Sequence, residues 1–257
     1  MSRKLRVVRD QTPEIDRVPS TLFVSTNSKT GFSVNVAIAK TCRPTKACSE
    51  YCYGLEGRIR YPAALASQAR NAAFFEGTDE VALGESAFAV GRRVLKRQDF
   101  IRMFGVGDLQ PGSTMFITRL ATTYPELQVW VSTRKLELAR KLPLLPNLHV
   151  MLSCDATTTK KNLEDVRWLI RQVGPQFFAA WVRRSEDEKP PSWVKVVFEE
   201  HHVGKLGRAR WEPEPRACPA TVRGGVAHDG ACARCRFCFS TTKRESGTAL
   251  VQLRKRK

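Results

Sequence analysis

The stretch that decides the fold is Leu148-His149-Val150-Met151-Leu152-Ser153-Cys154-Asp155, a polar turn, residues 159–173, and then Phe177-Phe178-Ala179-Ala180-Trp181-Val182. The outer pieces are apolar runs of strand length. Between them Leu163, Val166, Ile170 and Val173 recur at helical spacing and give one buried stripe. Strand, helix, strand in that order predicts parallel pairing through a right-handed crossover.

The same alternation extends outward from this unit. Leu127 to Ser132 reads as a strand ending in Thr133-Arg134, with a short helix at 135–142. Phe100 to Val106 reads as a strand ending in Gly105-Val106-Gly107-Asp108, and Phe116, Leu120 and Tyr124 mark one face of a helix over 113–124. Pro62 suits the first turn of a helix at 63–76, and another is expected at 79–97. Phe32, Val34, Val36 and Ile38 alternate with Ser33, Asn35 and Ala37 at a period of two. The turn-rich 27–31 closes a hairpin back to a strand at Leu22 to Thr26. Val194 to Phe198 is the last strand, and the charged segment 183–192, with Pro190-Pro191, carries no helix.

Six core strands, mostly separated by helices, predict an α/β fold: an open sheet or a six-strand partial (β/α) barrel over 21–205. An N-terminal arm (1–20) precedes it, and a cysteine-rich metal-binding extension (206–242) and a basic tail (243–257) follow.

A hydrophobic fraction of 42% supports a real core and excludes a mostly disordered chain. No apolar run approaches the roughly 20 residues of a membrane span. The charged start, Met1 to Arg6, lacks an apolar signal core, so a cytoplasmic location is expected. Lys and Arg number 43 against 25 Asp and Glu, for a net charge of +18. That excess favours a polyanionic partner such as nucleic acid. Arg208, Arg210, Arg216 and Arg223, with Trp211 and Phe237, mix basic and aromatic character as backbone contact and base stacking require.

In such a compartment, closely spaced cysteines read as metal ligands before disulfides. Cys218, Cys232, Cys235 and Cys238 contain two consecutive C-x₂-C steps. Four thiolates complete a zinc site or ligate a four-iron cluster, and the consecutive steps favour iron–sulfur. Cys42, Cys48 and Cys52 are three, which leaves one metal position open for chemistry unless Cys154, His149, His201, His202 or His228 fills it.

In parallel α/β folds, ligands bind at the C-terminal ends of the strands. The first cysteine loop, Gly107-Asp108, Thr133-Arg134, Ser153 to Asp155 and Arg183 are therefore expected around one cavity. Gly105 and Gly107 give a ligand close access to the backbone, Asp108 receives an amine or ribose hydroxyl, and Arg134 holds a carboxylate or phosphate.

The ordered set Thr41-Cys42, Cys48, Cys52-Tyr53-Gly54, Gly107-Asp108, Ser132-Thr133-Arg134, Leu152-Ser153-Cys154-Asp155, Cys218-Pro219 and Cys232/Cys235/Cys238 resembles the phage and plasmid "gene product 88" domain family. That resemblance spans most of residues 20–240 and implies no particular reaction. In architecture the chain is similar to the radical S-adenosylmethionine superfamily. Members carry three cysteines after the first strand of a six-strand partial barrel, and these hold a [4Fe-4S] cluster whose open iron chelates S-adenosylmethionine. The resemblance implies that Cys42, Cys48 and Cys52 hold such a cluster. It also implies cofactor contacts at Tyr51, Gly105, Gly107 and Asp108, and the strand-end reading adds Thr133, Arg134, Ser153 and Asp155 to the cofactor-binding set. Cys218, Cys232, Cys235 and Cys238 would then hold a second [4Fe-4S] cluster or zinc. The spacing here is C-x₅-C-x₃-C, against the superfamily's usual C-x₃-C-x₂-C.

The leading expectation is an iron–sulfur enzyme of this type, served by a reductant, with an anionic or nucleic-acid-related substrate. The alternative is a non-catalytic, metal-stabilised nucleic-acid-binding protein. A zinc hydrolase is a poorer fit, since no H-E-x-x-H motif occurs.

Overall fold

The alternation of apolar strands and amphipathic helices lays each strand beside the one before it. The computed structural model describes residues 9, 11–27, 30–200, 215–218, 232, 235, 236 and 238. The expectations for His201, His202, His228, Arg208, Arg210, Trp211, Arg223, Phe237 and the basic tail lie outside these residues. β1 (Ser25–Asn27) and β2 (Gly31–Val34) form the expected antiparallel hairpin. Asn27 closes it: its Oδ1 accepts the Thr30 N–H at 2.7 Å, and Gly31 supplies φ +64°.

Next come α1 (Ile38–Thr41), α2 (Lys46–Tyr51), two 3-10 turns (Tyr53–Leu55 and Gly57–Arg60), α3 (Pro62–Gly77) and α4 (Glu80–Leu95). The remainder is β3 (Phe100–Met103), α5 (Pro111–Thr123), β4 (Gln128–Thr133), α6 (Leu136–Ala139), β5 (Leu148–Asp155), α7 (Lys160–Val173), β6 (Phe177–Arg183) and β7 (Val196–Glu199). The fold is α/β, with one seven-stranded sheet in the order β1-β2-β3-β4-β5-β6-β7. Every pair from β2 to β7 is parallel.

Sequential order with right-handed crossovers sends every helix to the same face. Strand residues of one parity, among them Ile101, Met103, Val129, Val131, Val150 and Leu152, share the main core with Phe74, Phe75, Phe116, Ile117 and Leu120 of the helices. Residues of the other parity, Phe100, Trp130, Met151, Phe178, Ala180 and Val196, form a second cluster to which, among the described residues, none of the crossover helices contributes.

Several strands are shorter than their apolar pattern. After Val34 the chain leaves the ladder because side chains take over the backbone's partners. Asn35 Oδ1 accepts the Val106 N–H at 2.9 Å, and Asn71 Nδ2 donates to Asn35 O at 2.8 Å. Ile38 therefore opens a helical turn instead of ending a strand. β3 stops at Met103 because Phe104 adopts φ +60°. The cysteine loop holds α2, which the sequence pattern did not announce. Residues 184–195 contain no helix, as expected. Among the described residues, no helix is long and apolar enough to cross a membrane.

Candidate metal centre

Cys42 directly follows α1, Cys48 lies inside α2 and Cys52 ends it, so one short loop after β2 carries all three thiols. Thr45 anchors the loop twice. Its Oγ1 caps α2 by accepting the Cys48 N–H at 3.2 Å and donates to Asp155 Oδ2 at 2.6 Å. The Ala47 N–H donates to Thr157 Oγ1 at 3.0 Å. Asp155, itself 1% exposed, also accepts from the Thr157 N–H at 2.9 Å and from its hydroxyl at 2.8 Å. Arg134 completes the brace with Nη2 at 2.9 Å from Asp155 Oδ2. The loop is thereby fixed to the ends of β4 and β5.

Beneath the sulfurs lies an apolar bed of Ile38, Leu55, Leu65 and Val106, with Cys42 and Cys52 packed against it. Gly54 lets the turn sit this low. A Cβ there would meet Ile38 Cδ1 at 2.7 Å and Cys52 Sγ at 3.5 Å. A hydrogen bond from Cys52, aided by the Arg134 charge, lowers the Cys48 thiol to about 7 despite its burial. The same bond, then burial, raises Cys52. Burial, then the Asp108 charge, raises Cys42. Unaided, the three thiols do not ionise together. A metal cation removes that conflict, because thiolate ligation and proton release are linked. The donor set therefore fits a thiolate-bound metal. Among the described residues, no three His, Cys, Asp or Glu side chains are drawn in around a single ion.

The strand-end residues divide. Thr133, Arg134, Ser153 and Cys154 line a cavity of about 300 Å³ with Arg43 and Asp165. Asp108 does not line it. Its carboxylate is buried and accepts from the Thr133 hydroxyl, from the Leu109 N–H at 2.8 Å and from the Arg134 N–H at 3.3 Å. Burial raises its pKa. Gly107 takes φ +84°, and a Cβ there would stand 2.4 Å from Val36 O. The close approach that needs this glycine is made by the protein's own backbone. Gly105 is likewise crowded by the chain itself: a Cβ there would stand 3.0 Å from Asn35 Oδ1 and 3.4 Å from Arg102 Nε. Arg183 does not reach the expected cavity. It is buried with Glu199, Nη1 to Oε1 3.1 Å, and donates to the carbonyls of Glu186 and Glu188. Tyr51 sits in α2.

Cys154, offered as a fourth ligand, belongs to the helix-side core, where burial pushes its thiol up to about 12. His149 lies at the opposite end of β5, bonded to Gln128 Oε1 at 2.7 Å. Neither is placed with the first three cysteines.

The second cysteine group packs on the sheet face away from the crossover helices. Cys218, Cys232 and Cys238 lie against the Trp130/Met151/Phe178 cluster. Burial, followed by the charges of Cys218, Cys235 and Cys232, raises Cys238 well above an ordinary thiol, so all four sulfurs share one neighbourhood. Arg236 pairs with Asp99, just ahead of β3, at 2.8 Å. This group thus sits near the strand starts, whereas the first sits near the strand ends.

Sequence reasoning missed Thr45 and Thr157. Thr-Lys-Ala-Cys is a helix start with its cap, and Asp-x-Thr is a local turn, so both signals were present but short. It also missed Arg102, whose guanidinium lies 4.7 Å from the Trp130 ring centroid and donates to Tyr53 Oη at 3.4 Å.

No curated protein and no solved structure matches the chain. The family model described as Gene product 88 matches residues 7–241. The ordered cysteines, the Gly107-Asp108 turn and the Thr133–Asp155 strand ends all fall inside that span, and the chain belongs to the Gene product 88 family.

Proposed function

We propose that the protein is an iron–sulfur enzyme of the radical S-adenosylmethionine type, built on a six-strand partial (β/α) barrel, with an anionic or nucleic-acid-related substrate. The observation that carries this reading is positional: three thiols of one loop follow the first parallel strand, at the ligand-binding end of a sheet in sequential order. The crossover helices share one core with one face of the sheet, which is the arrangement a partial barrel needs for its outer side.

In this reading Cys42, Cys48 and Cys52 ligate a [4Fe-4S] cluster and leave one iron position for S-adenosylmethionine. Together these groups supply an electron and a cleavable carbon–sulfur bond, chemistry that no side chain of the chain offers. The protein holds and shields. The Gly54 N–H supports the Cys52 sulfur, and Arg134 bonds Cys48 and balances its charge. Ile38, Leu55, Leu65 and Val106 keep water away. Asp108, Thr133 and Asp155 act at one remove by fixing the strand ends that carry the loop, while Ser153 and Tyr51 remain the candidates for direct contact. Cys218, Cys232, Cys235 and Cys238 hold a second cluster or zinc.

The test is anaerobic reconstitution with iron and sulfide, then S-adenosylmethionine and dithionite. The expected result is roughly four iron at the first group and release of 5′-deoxyadenosine. No 5′-deoxyadenosine from protein with a full first cluster would sink this reading. Zinc alone in both groups would favour the metal-stabilised nucleic-acid-binding protein. The +18 charge supports that alternative, which requires binding that weakens steeply with salt.

A further inference from the structure

Arg102 stands out among the charged groups of the sheet. It projects from β3 onto the face away from the crossover helices, where its register partner on β4 is Trp130. Its guanidinium stacks over that indole, 4.7 Å from the ring centroid. The side chain is half-buried, and its Nε is shut off from solvent without a hydrogen-bond partner. One terminal N–H reaches the Tyr53 hydroxyl at 3.4 Å, and no carboxylate pairs with it among the described residues. Its position contrasts with Arg134 and Arg183, whose guanidinium groups each meet a buried carboxylate.

Withdrawing a cation from water without a counter-ion is unfavourable, and a guanidinium presents a planar fork matched to an oxyanion. Stacking on Trp130 holds the plane and leaves the donor edge available. Gly105 keeps the space: a Cβ there would press on Arg102 Nε at 3.4 Å. Tyr53 immediately follows Cys52, so this fork stands beside the cysteine loop. Ser132 and Ser153, with hydroxyls 3.5 Å apart, carry the same face further toward the strand ends.

We propose that Arg102 is an anion-binding residue, and that the part of the Trp130 face beside the cysteine loop takes a substrate bearing a phosphate or carboxylate. Calling the ligand a substrate rests on the enzymatic reading above; the binding itself does not. Arg102 clamps the oxyanion while Trp130 and Tyr53 fix the plane and direction of the clamp.

The experiment uses the full chain with ¹⁵N-labelled arginine and tryptophan. Inorganic phosphate, sodium acetate and sodium chloride are titrated at matched ionic strength, and the Arg102 Nε–H and Trp130 indole N–H resonances are followed. A saturable shift at both residues with phosphate or acetate, absent with chloride, is expected. The stronger of the two names the ligand's group. Arg102→Gln should abolish the response with native near-UV circular dichroism, and Arg102→Lys should weaken it about tenfold through loss of the fork. Arg140→Gln, on the helix side over Trp168, should leave it unchanged. A silent Arg102 at tens of millimolar anion, or a response that survives Arg102→Gln, would overturn the proposal. Neither result depends on 5′-deoxyadenosine formation, so the two readings fail separately.

Discussion

The two cysteine groups are held at different places and with a different share of polar bonds. Cys42, Cys48 and Cys52 ride on a loop fastened by side-chain bonds, Thr45 to Asp155 and Ala47 to Thr157, at the strand ends. Cys218, Cys232 and Cys238 lie against Trp130, Met151 and Phe178, with the Cys218 N–H bonded to Val197 O of β7 at 2.7 Å. Both groups touch apolar clusters, but only the first is also bolted to the strand ends by side-chain bonds, and its Cys48 belongs to no apolar cluster. A loop attached by polar bonds can change its chemistry while the sheet persists, whereas a packed group cannot change without loosening the hydrophobic cluster beneath it.

That contrast is open to direct attack. The largest effect is expected at the packed group: if its thiols hold the proposed cluster or zinc, Cys238→Ser should remove several kcal/mol of stability, seen as a collapsed thermal midpoint, because binding of a structural metal and folding are one equilibrium. Cys48→Ala should abolish 5′-deoxyadenosine formation but shift the urea midpoint by less than about 1 kcal/mol equivalent. If both variants unfold alike, the contrast is broken. Next comes the bolt. Asp155→Asn leaves Arg134 without its carboxylate in a nearly dry site and should cost about 3 kcal/mol. Protease cleavage between 42 and 52 should rise with it, reporting a loosened loop.

A pH effect should separate the two ends of the sheet. Burial, then the Lys195 and Arg236 charges, lowers His149 to about 4. A free histidine titrates near 6.5, so unfolding takes up a proton between those values. Stability is intact above about pH 6.5 and falls by on the order of 2 kcal/mol as pH drops through the folded value. His149→Gln should flatten that slope in urea titrations at several pH values. The smallest effect belongs to Arg43→Ala. Its 3.8 Å pair with Glu137 is exposed, so a change under about 0.5 kcal/mol is expected.

Much of the fold was legible because buried strands and amphipathic helices leave strong periodic signals. The helices at 159–173 and 113–124 and all six parallel strands follow from apolar spacing alone. Strand lengths were not legible, since Asn35 and Asn71 end β2 through side-chain bonds between residues 36 positions apart. The candidate site was half legible. Cysteine spacing announced the thiols, but not that Gly107 and Asp108 meet Val36, Thr133 and Leu109 of the chain itself. Glycine and aspartate at a strand end look the same in sequence whether their partner is a ligand or the chain itself. Arg102 was invisible for the converse reason: a single arginine inside an apolar strand carries no pattern, and its significance comes from Trp130 on the neighbouring strand.

The outer edge of β7 is covered by residues 215–218: the Val197 N–H bonds Arg216 O at 3.0 Å, and Ala217 forms a parallel bridge to Val197. Arg216 secures the cover by donating to the carbonyls of Pro191 at 2.8 Å and Val194 at 2.9 Å. Cys218 is the last residue of this cover, its N–H bonded to Val197 O, so the second cysteine group and the edge guard share a residue. Oxidising those thiols would bare a strand edge already shaped for pairing with another chain. Shelf life and solubility of the purified protein should therefore track the state of its C-terminal cysteines more closely than that of the loop at Cys42.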